Sequence, residues 1–119
     1  MKARLGLLAA CLVLPAHAAD LRHGKQTFAV CSACHDTGSS NLGPPLTGIV
    51  GRKAGSLPGF PYSNPMKRAG FVWDTNRLRD FVQDPQAVVS GTRMAFSGLD
   101  DPNDAADLVA YLSQLNTKE

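Results

Sequence analysis

Apolar positions recur at helical spacing toward both ends of this chain, and no run alternates convincingly enough for a strand. Near the C-terminus, Ala105, Leu108, Val109, Leu112 and Leu115 form one stripe at the period of an amphipathic α-helix. Asp101 stands at the N-cap position and Pro102 at the first helical position, where a missing N–H is harmless. A second apolar face joins Leu78, Phe81 and Val82, with Asp74 as cap and Pro85 as the stop. Gln86 to Val89 adds a helical turn before Gly91. Leu21 to Cys34 carries no proline and repeats Leu21, Gly24 and Phe28 at helical intervals. Gly24 inside that helix costs about 1 kcal/mol relative to alanine, which points to a close packing contact. Ser63-Asn64-Pro65 starts a short helix expected to end at Gly70.

From Thr37 to Pro61 the chain is rich in glycine and proline and has no period. So long an irregular stretch is unusual in a compact domain unless it wraps something. The expected fold is therefore all-α, with helices at both ends and loops between them. Such a domain has a core problem, because loops carry backbone polar groups and supply little apolar surface. Something other than side chains is needed to fill the middle.

The N-terminus reads differently. Lys2 and Arg4 precede an apolar stretch from Leu5 to Leu14, followed by Pro15-Ala16-His17-Ala18. This is the pattern of a secretory signal peptide, with cleavage expected after Ala18 and Ala19 as the alternative; a buried first helix is the bland reading. The apolar run is too short to span a bilayer. Leu8-Ala9-Ala10-Cys11 resembles a lipoprotein processing box, but the apolar run continues past Cys11 to Leu14. Export without a permanent membrane anchor is the expectation, residues 1–18 being removed and 19–119 forming one domain.

Composition narrows the classes. The 119 residues suit one small domain, and 44% hydrophobic with 18% charged residues argues against wholesale disorder. Loss of Lys2 and Arg4 would bring the 12 basic residues to 10, equal to the 10 acidic ones. A neutral domain is a poor nucleic-acid binder, and no nucleic-acid partner is expected. Charge is unevenly placed: the basic residues concentrate between Arg52 and Arg93, and Asp100, Asp101, Asp104 and Asp107 follow. Asp101 and Asp104 also have the bland role of complementing a helix N-terminus.

Cys31-Ser32-Ala33-Cys34-His35 supplies the chemistry. Cys-x-x-Cys-His is the signature of c-type haem attachment. On a helix the two cysteines share a face, so both sulfurs can form thioethers with one porphyrin, and His35 can turn its imidazole to the iron. A thioredoxin-like dithiol would need a βαβ context, which this chain lacks, and a zinc site wants four ligands, for which residues 19–119 hold only Cys31, Cys34, His23 and His35. A large flat apolar cofactor also resolves the core problem. For the sixth iron position the candidates are Met94, Met66 and His23. Met94 lies in a loop, where a soft thioether can turn inward, though a gap-filling core methionine is the competing reading. Met66, beside Lys67 and Arg68, is expected to be packed or at the surface. His23 sits close to the attachment motif and is expected at the surface.

An ordered series of strings resembles the class I cytochromes c, closest to the mitochondrial-type and short bacterial members. It runs from Gly24-Lys25-Gln26-Thr27-Phe28 through Cys31–His35, Gly43-Pro44-Pro45-Leu46-Thr47-Gly48 and Gly51-Arg52-Lys53-Ala54-Gly55. Tyr62, Trp73, Gly91-Thr92-Arg93-Met94 and Asp107-Leu108-Val109-Ala110-Tyr111-Leu112 complete it. The resemblance implies three to five helices wrapped around one haem c, with crossing N- and C-terminal helices. It implies thioethers from Cys31 and Cys34, and His35 and Met94 as axial ligands. Pro44 would accept from the His35 ring, and Arg52, Tyr62 and Trp73 would meet the haem propionates. Thr92 would orient the methionine loop, and Gly24 would let the first helix cross the last against Tyr111. The chain departs from the mitochondrial pattern in three places. Only Ala29 and Val30 separate Phe28 from Cys31, Phe81 stands where a tyrosine is common, and the lysine ring is thinned.

The function this implies is that of a single-haem electron carrier between donor and acceptor proteins, expected as a monomer in the periplasm and catalysing no bond-making reaction. A dedicated subunit of a periplasmic dehydrogenase or oxidase is the first alternative. A haem enzyme or gas sensor with an open sixth position is the second.

Overall fold

A computed structural model describes residues 18–35 and 42–115, together with isolated positions 3, 6 and 9. The expected leader and its cleavage point therefore fall almost wholly outside the described residues, as do residues 36–41 of the irregular stretch. Five helices are described: α1 (Leu21–His35), α2 (Asn64–Lys67), α3 (Thr75–Gln83), α4 (Pro85–Val88) and α5 (Pro102–Gln114). Among the described residues there is no strand, and one isolated antiparallel bridge joins Lys53 and Val72. None of these helices is long and apolar enough to cross a membrane.

Local signals set most boundaries. Asp74 accepts from the Arg77 amide at 2.7 Å and opens α3, and Asp101 accepts from the Asn103 amide at 2.8 Å and opens α5. Ser63 caps α2 through the Met66 amide. That helix stops at Lys67 rather than running on to Gly70. At Arg68 the backbone turns to φ −93°, ψ 0°, and its N–H is shared between the Asn64 and Met66 carbonyls. Gly70 then takes a left-handed φ of 73°, which turns the chain toward Trp73. Asp84 has a double role, closing α3 and capping α4 through the Ala87 amide. Pro85 thus begins the next helix as well as ending the last, and the turn expected over Gln86–Val89 lies one residue earlier.

The stripe faces found in the sequence become the core. Leu78, Phe81 and Val82 of α3 and Ala105, Leu108, Val109 and Leu112 of α5 are buried in one cluster with Ile49, Ala54, Met66, Trp73 and Val89. At the other side of the molecule α1 crosses α5. A Cβ on Gly24 would lie 2.7 Å from the Asp107 carbonyl carbon and 3.0 Å from the Tyr111 Cβ, so only glycine lets the two backbones approach this closely. Beyond the crossing, the Phe28 and Tyr111 rings meet at 5.2 Å between centroids.

His23 has its side chain 39% exposed, as expected of a surface residue, and also has a structural role. Its Nδ1 lies 2.9 Å from Asp107 Oδ2 and its Nε2 lies 3.6 Å from Asp104 Oδ1, tying α1 to α5. Asp107 is itself buried and also accepts from the Asp20 amide at 2.9 Å. Asp20 in turn caps α1 by accepting from the Arg22 and His23 amides.

Candidate haem site

The last turn of α1 presents Cys31, half-buried, and Cys34, exposed; neither is in a disulfide. Burial pushes the Cys31 thiol above its ordinary range, the neighbouring Cys34 adding a little. His35 closes the helix. Its Nδ1 lies 2.7 Å from the Pro44 carbonyl, and since a carbonyl can only accept, Nδ1 carries the proton. The lone pair is then on Nε2. Burial holds the imidazole below its usual pKa against the opposing pull of that carbonyl, so the ring is neutral, the form that binds metal.

The loop beyond α1 is shaped around this ring. The Gly43 amide donates to the Cys34 carbonyl at 2.9 Å. A Cβ on Gly43 would sit 2.6 Å from His35 Cε1 and 2.7 Å from its Nδ1, so the loop is a cradle that any larger residue would fill. Arg52 continues the enclosure by donating to the carbonyls of Pro45 (2.8 Å) and Thr47 (2.6 Å). Its own carbonyl receives the Trp73 amide at 2.8 Å. Arg52 and Trp73, widely separated in sequence, are thereby brought together. Trp73 is buried between Phe71 and Phe81, both at 4.8 Å between centroids. Tyr62 is half-buried, meets the Phe60 ring at a tilt with 4.8 Å between centroids, and accepts from the Leu57 amide at 3.3 Å.

Met94 lies on a second loop, half-buried. The buried Thr92 hydroxyl accepts from the Met94 amide at 3.3 Å, and Arg93 reaches the Pro61 carbonyl at 2.8 Å, beside Tyr62. Cys31, Leu46, Tyr62 and Met94 all pack against the cluster that contains Trp73 and Phe81. Met66 is buried inside that cluster, consistent with packing.

The residues present fit a haem. The neutral histidine exposes the correct nitrogen, the two cysteines share a helix face, and a glycine cradle keeps the ring in place. Three contributors have roles that the sequence did not announce. Gly43 shows its need only through the ring packed on it. Asp107 becomes a clamp only because α1 lands on it. Gln86 bonds to the loop that carries Met94, a contact that no periodicity encodes.

A helical domain whose loops enclose a covalently attached haem is the class that this fold and site define. The family model for Cytochrome c matches residues 21–116. Cytochrome c2 of Rhodomicrobium vannielii is 42% identical over 120 residues, covering 95% of this chain and 96% of that protein. Cytochrome c2 of Blastochloris viridis is 39% identical over 110 residues, covering 90% of this chain and 87% of that one. The solved structure of cytochrome cH from Methylobacterium extorquens superposes with a TM-score of 0.76 at 39% identity, covering 81% of this chain and 99% of that one. The chain belongs to the cytochrome c family, with the class I fold. It carries one covalently bound haem c with its iron, and it passes electrons between redox partners.

Proposed function

We propose that the protein is a closed-site electron carrier: Cys31 and Cys34 hold the haem through thioethers, and His35 Nε2 and the Met94 sulfur occupy the two axial positions. The haem supplies a one-electron Fe(II)/Fe(III) couple. The protein supplies everything that keeps the couple reversible. Pro44 and Gly43 fix the imidazole, so that ligand is already oriented before electron transfer. Thr92 turns the methionine loop by accepting from the Met94 amide. Arg52, Tyr62 and Trp73 are the groups for the propionates, Arg52 with two of its donors already used on the Pro45 and Thr47 carbonyls.

With both axial positions filled, no substrate need reach the metal, so the protein is read as a carrier rather than an enzyme. The signal-like N-terminus and the requirement for haem attachment outside the cytoplasm support a periplasmic, monomeric protein released from its leader after Ala18. The single observation that carries this reading is the His35–Pro44 contact inside the Gly43 cradle. It makes the histidine a prepositioned ligand rather than a surface residue.

The oxidised absorption spectrum tests it. Haem-loaded protein should show the weak red-edge band of sulfur bound to ferric haem, and Met94→Ala should lose it. A wild-type spectrum without the band would leave the sixth position to another ligand or open, and would favour an enzyme or gas sensor.

A further inference from the structure

Gln86 is an exposed residue of the four-residue helix α4, yet both ends of its carboxamide are engaged. Its Oε1 accepts from the Gly91 amide at 2.9 Å, and its Nε2 donates to the Thr92 carbonyl at 3.0 Å. An amide N–H can only donate and a carbonyl can only accept, so these partners fix which way the side chain faces. The pair of bonds closes the loop between α4 and Met94 into a ring. Gly91 stands inside that ring at φ 94°, with the position of a Cβ only 2.9 Å from the Pro65 ring. Thr92 stands next, buried, with its amide on the Val89 carbonyl and its hydroxyl on the Met94 amide. The contacts therefore run without a gap from Gln86 through Gly91 and Thr92 to Met94.

We propose that Gln86 is a positioning residue: its carboxamide holds the loop 90–94 in the shape that keeps the Met94 sulfur at the iron, and so sets how readily another ligand displaces it. This rests on Met94 being the sixth ligand. The side chain suits the task uniquely among residues of its size. Leucine is close in volume and makes neither bond. Glutamate can accept from Gly91 but turns a second oxygen toward the Thr92 carbonyl. Asparagine is one methylene too short to reach both groups.

An external ligand that binds only when Met94 is off has an apparent dissociation constant equal to its intrinsic value divided by the open fraction. Loosening the ring raises that fraction and tightens the apparent affinity by the same factor. The experiment is an imidazole titration of the ferric haem-loaded protein, wild type against Gln86→Leu and Gln86→Glu, read by loss of the sulfur–iron band. Urea unfolding of the same proteins measures global stability alongside. The expected result is imidazole binding about five- to tenfold tighter in both variants, with the folding equilibrium constant lowered by no more than that same factor, because the two bonds are absent from the open and the unfolded forms alike. In the wild-type protein the Gly91 amide should exchange slowly with solvent, a readout that needs no variant to fold. Imidazole affinity within twofold of wild type in Gln86→Leu overturns the proposal. So does a loss of global stability far larger than the gain in affinity, which would make Gln86 ordinary packing. If wild-type ferric protein lacks the sulfur–iron band, the Met94 assignment itself falls and takes this inference with it. Rapid exchange at Gly91 in the wild type likewise overturns it.

Discussion

Where α1 crosses α5, the contact is backbone against backbone: Gly24 on one helix meets the Asp107 carbonyl and the Tyr111 Cβ on the other. The two loops that carry the proposed haem contacts, 43–62 and 91–94, are held differently. Their shape comes from side chains that bond to main-chain groups: His35 to Pro44, Arg52 to Pro45 and Thr47, Gln86 to Gly91 and Thr92, Arg93 to Pro61. The crossing depends on shape, and close-packed shape tolerates no added atom. The loops depend on individual hydrogen bonds, each contributing about 1 kcal/mol, so they yield one contact at a time. A redox protein has use for both, a rigid crossing of helices and loops whose shape can be tuned separately.

Substitutions should separate the two regions. Gly24→Ala pushes a methyl group into the α5 backbone and should cost about 3 kcal/mol of stability in urea unfolding of the haem-loaded protein. The folded fraction should keep its sulfur–iron band, because the loops are untouched. A loss below about 1 kcal/mol would mean that the helices can slide apart, and the crossing would not be shape-limited.

Thr92→Val should act on the other region. It removes the acceptor for the Met94 amide while keeping the volume of a buried side chain, and should cost about 1 kcal/mol. The loss should be local. Exchange of the Met94 amide should quicken while amides in α1 and α5 keep their protection. Equal acceleration everywhere would erase the distinction between loop and crossing.

The smallest effect is expected at His23, where the crossing has an electrostatic part. The hydrogen bond to Asp107 raises the His23 pKa above 6.5, partly opposed by desolvation and helped by the charges of Asp104, Asp107 and Asp20. A raised folded-state value means that the proton stabilises the fold. That contribution is fully present below the unfolded value, about 6.5, and fades as pH rises through the higher folded value. The side chain is 39% exposed, so solvent and salt screen much of it. His23→Gln should therefore flatten the fall in urea midpoint above about pH 6.5 and leave the haem spectrum unchanged. An unaltered pH profile would remove the ion pair from the account.

Legibility in the sequence follows the same division. The α3 and α5 stripes were readable because burial on one helix face imposes a period, and Asp74 and Asp101 because capping is a local act of one side chain on the next turn. The attachment string was readable because its chemistry fits within five consecutive residues. The end of α2 was misjudged, since Arg68 leaves the helix by a shared hydrogen bond that no residue type announces. His23 lies at the surface as expected, but its pairing with Asp107 was not legible because that partner is more than eighty residues away.

By itself, then, the sequence determined the helices, the caps Asp74 and Asp101 and the haem attachment motif, which rest on neighbours along the chain, and the family, which rests on an ordered series of strings. Only the tertiary structure decided what surrounds the site. Gly43 against the His35 ring, Arg52 beside Trp73, Asp107 under α1 and Gln86 across the methionine loop are meetings of distant or irregular segments. Periodicity does not record such meetings, because each depends on where a loop returns in space rather than on how often an apolar residue recurs.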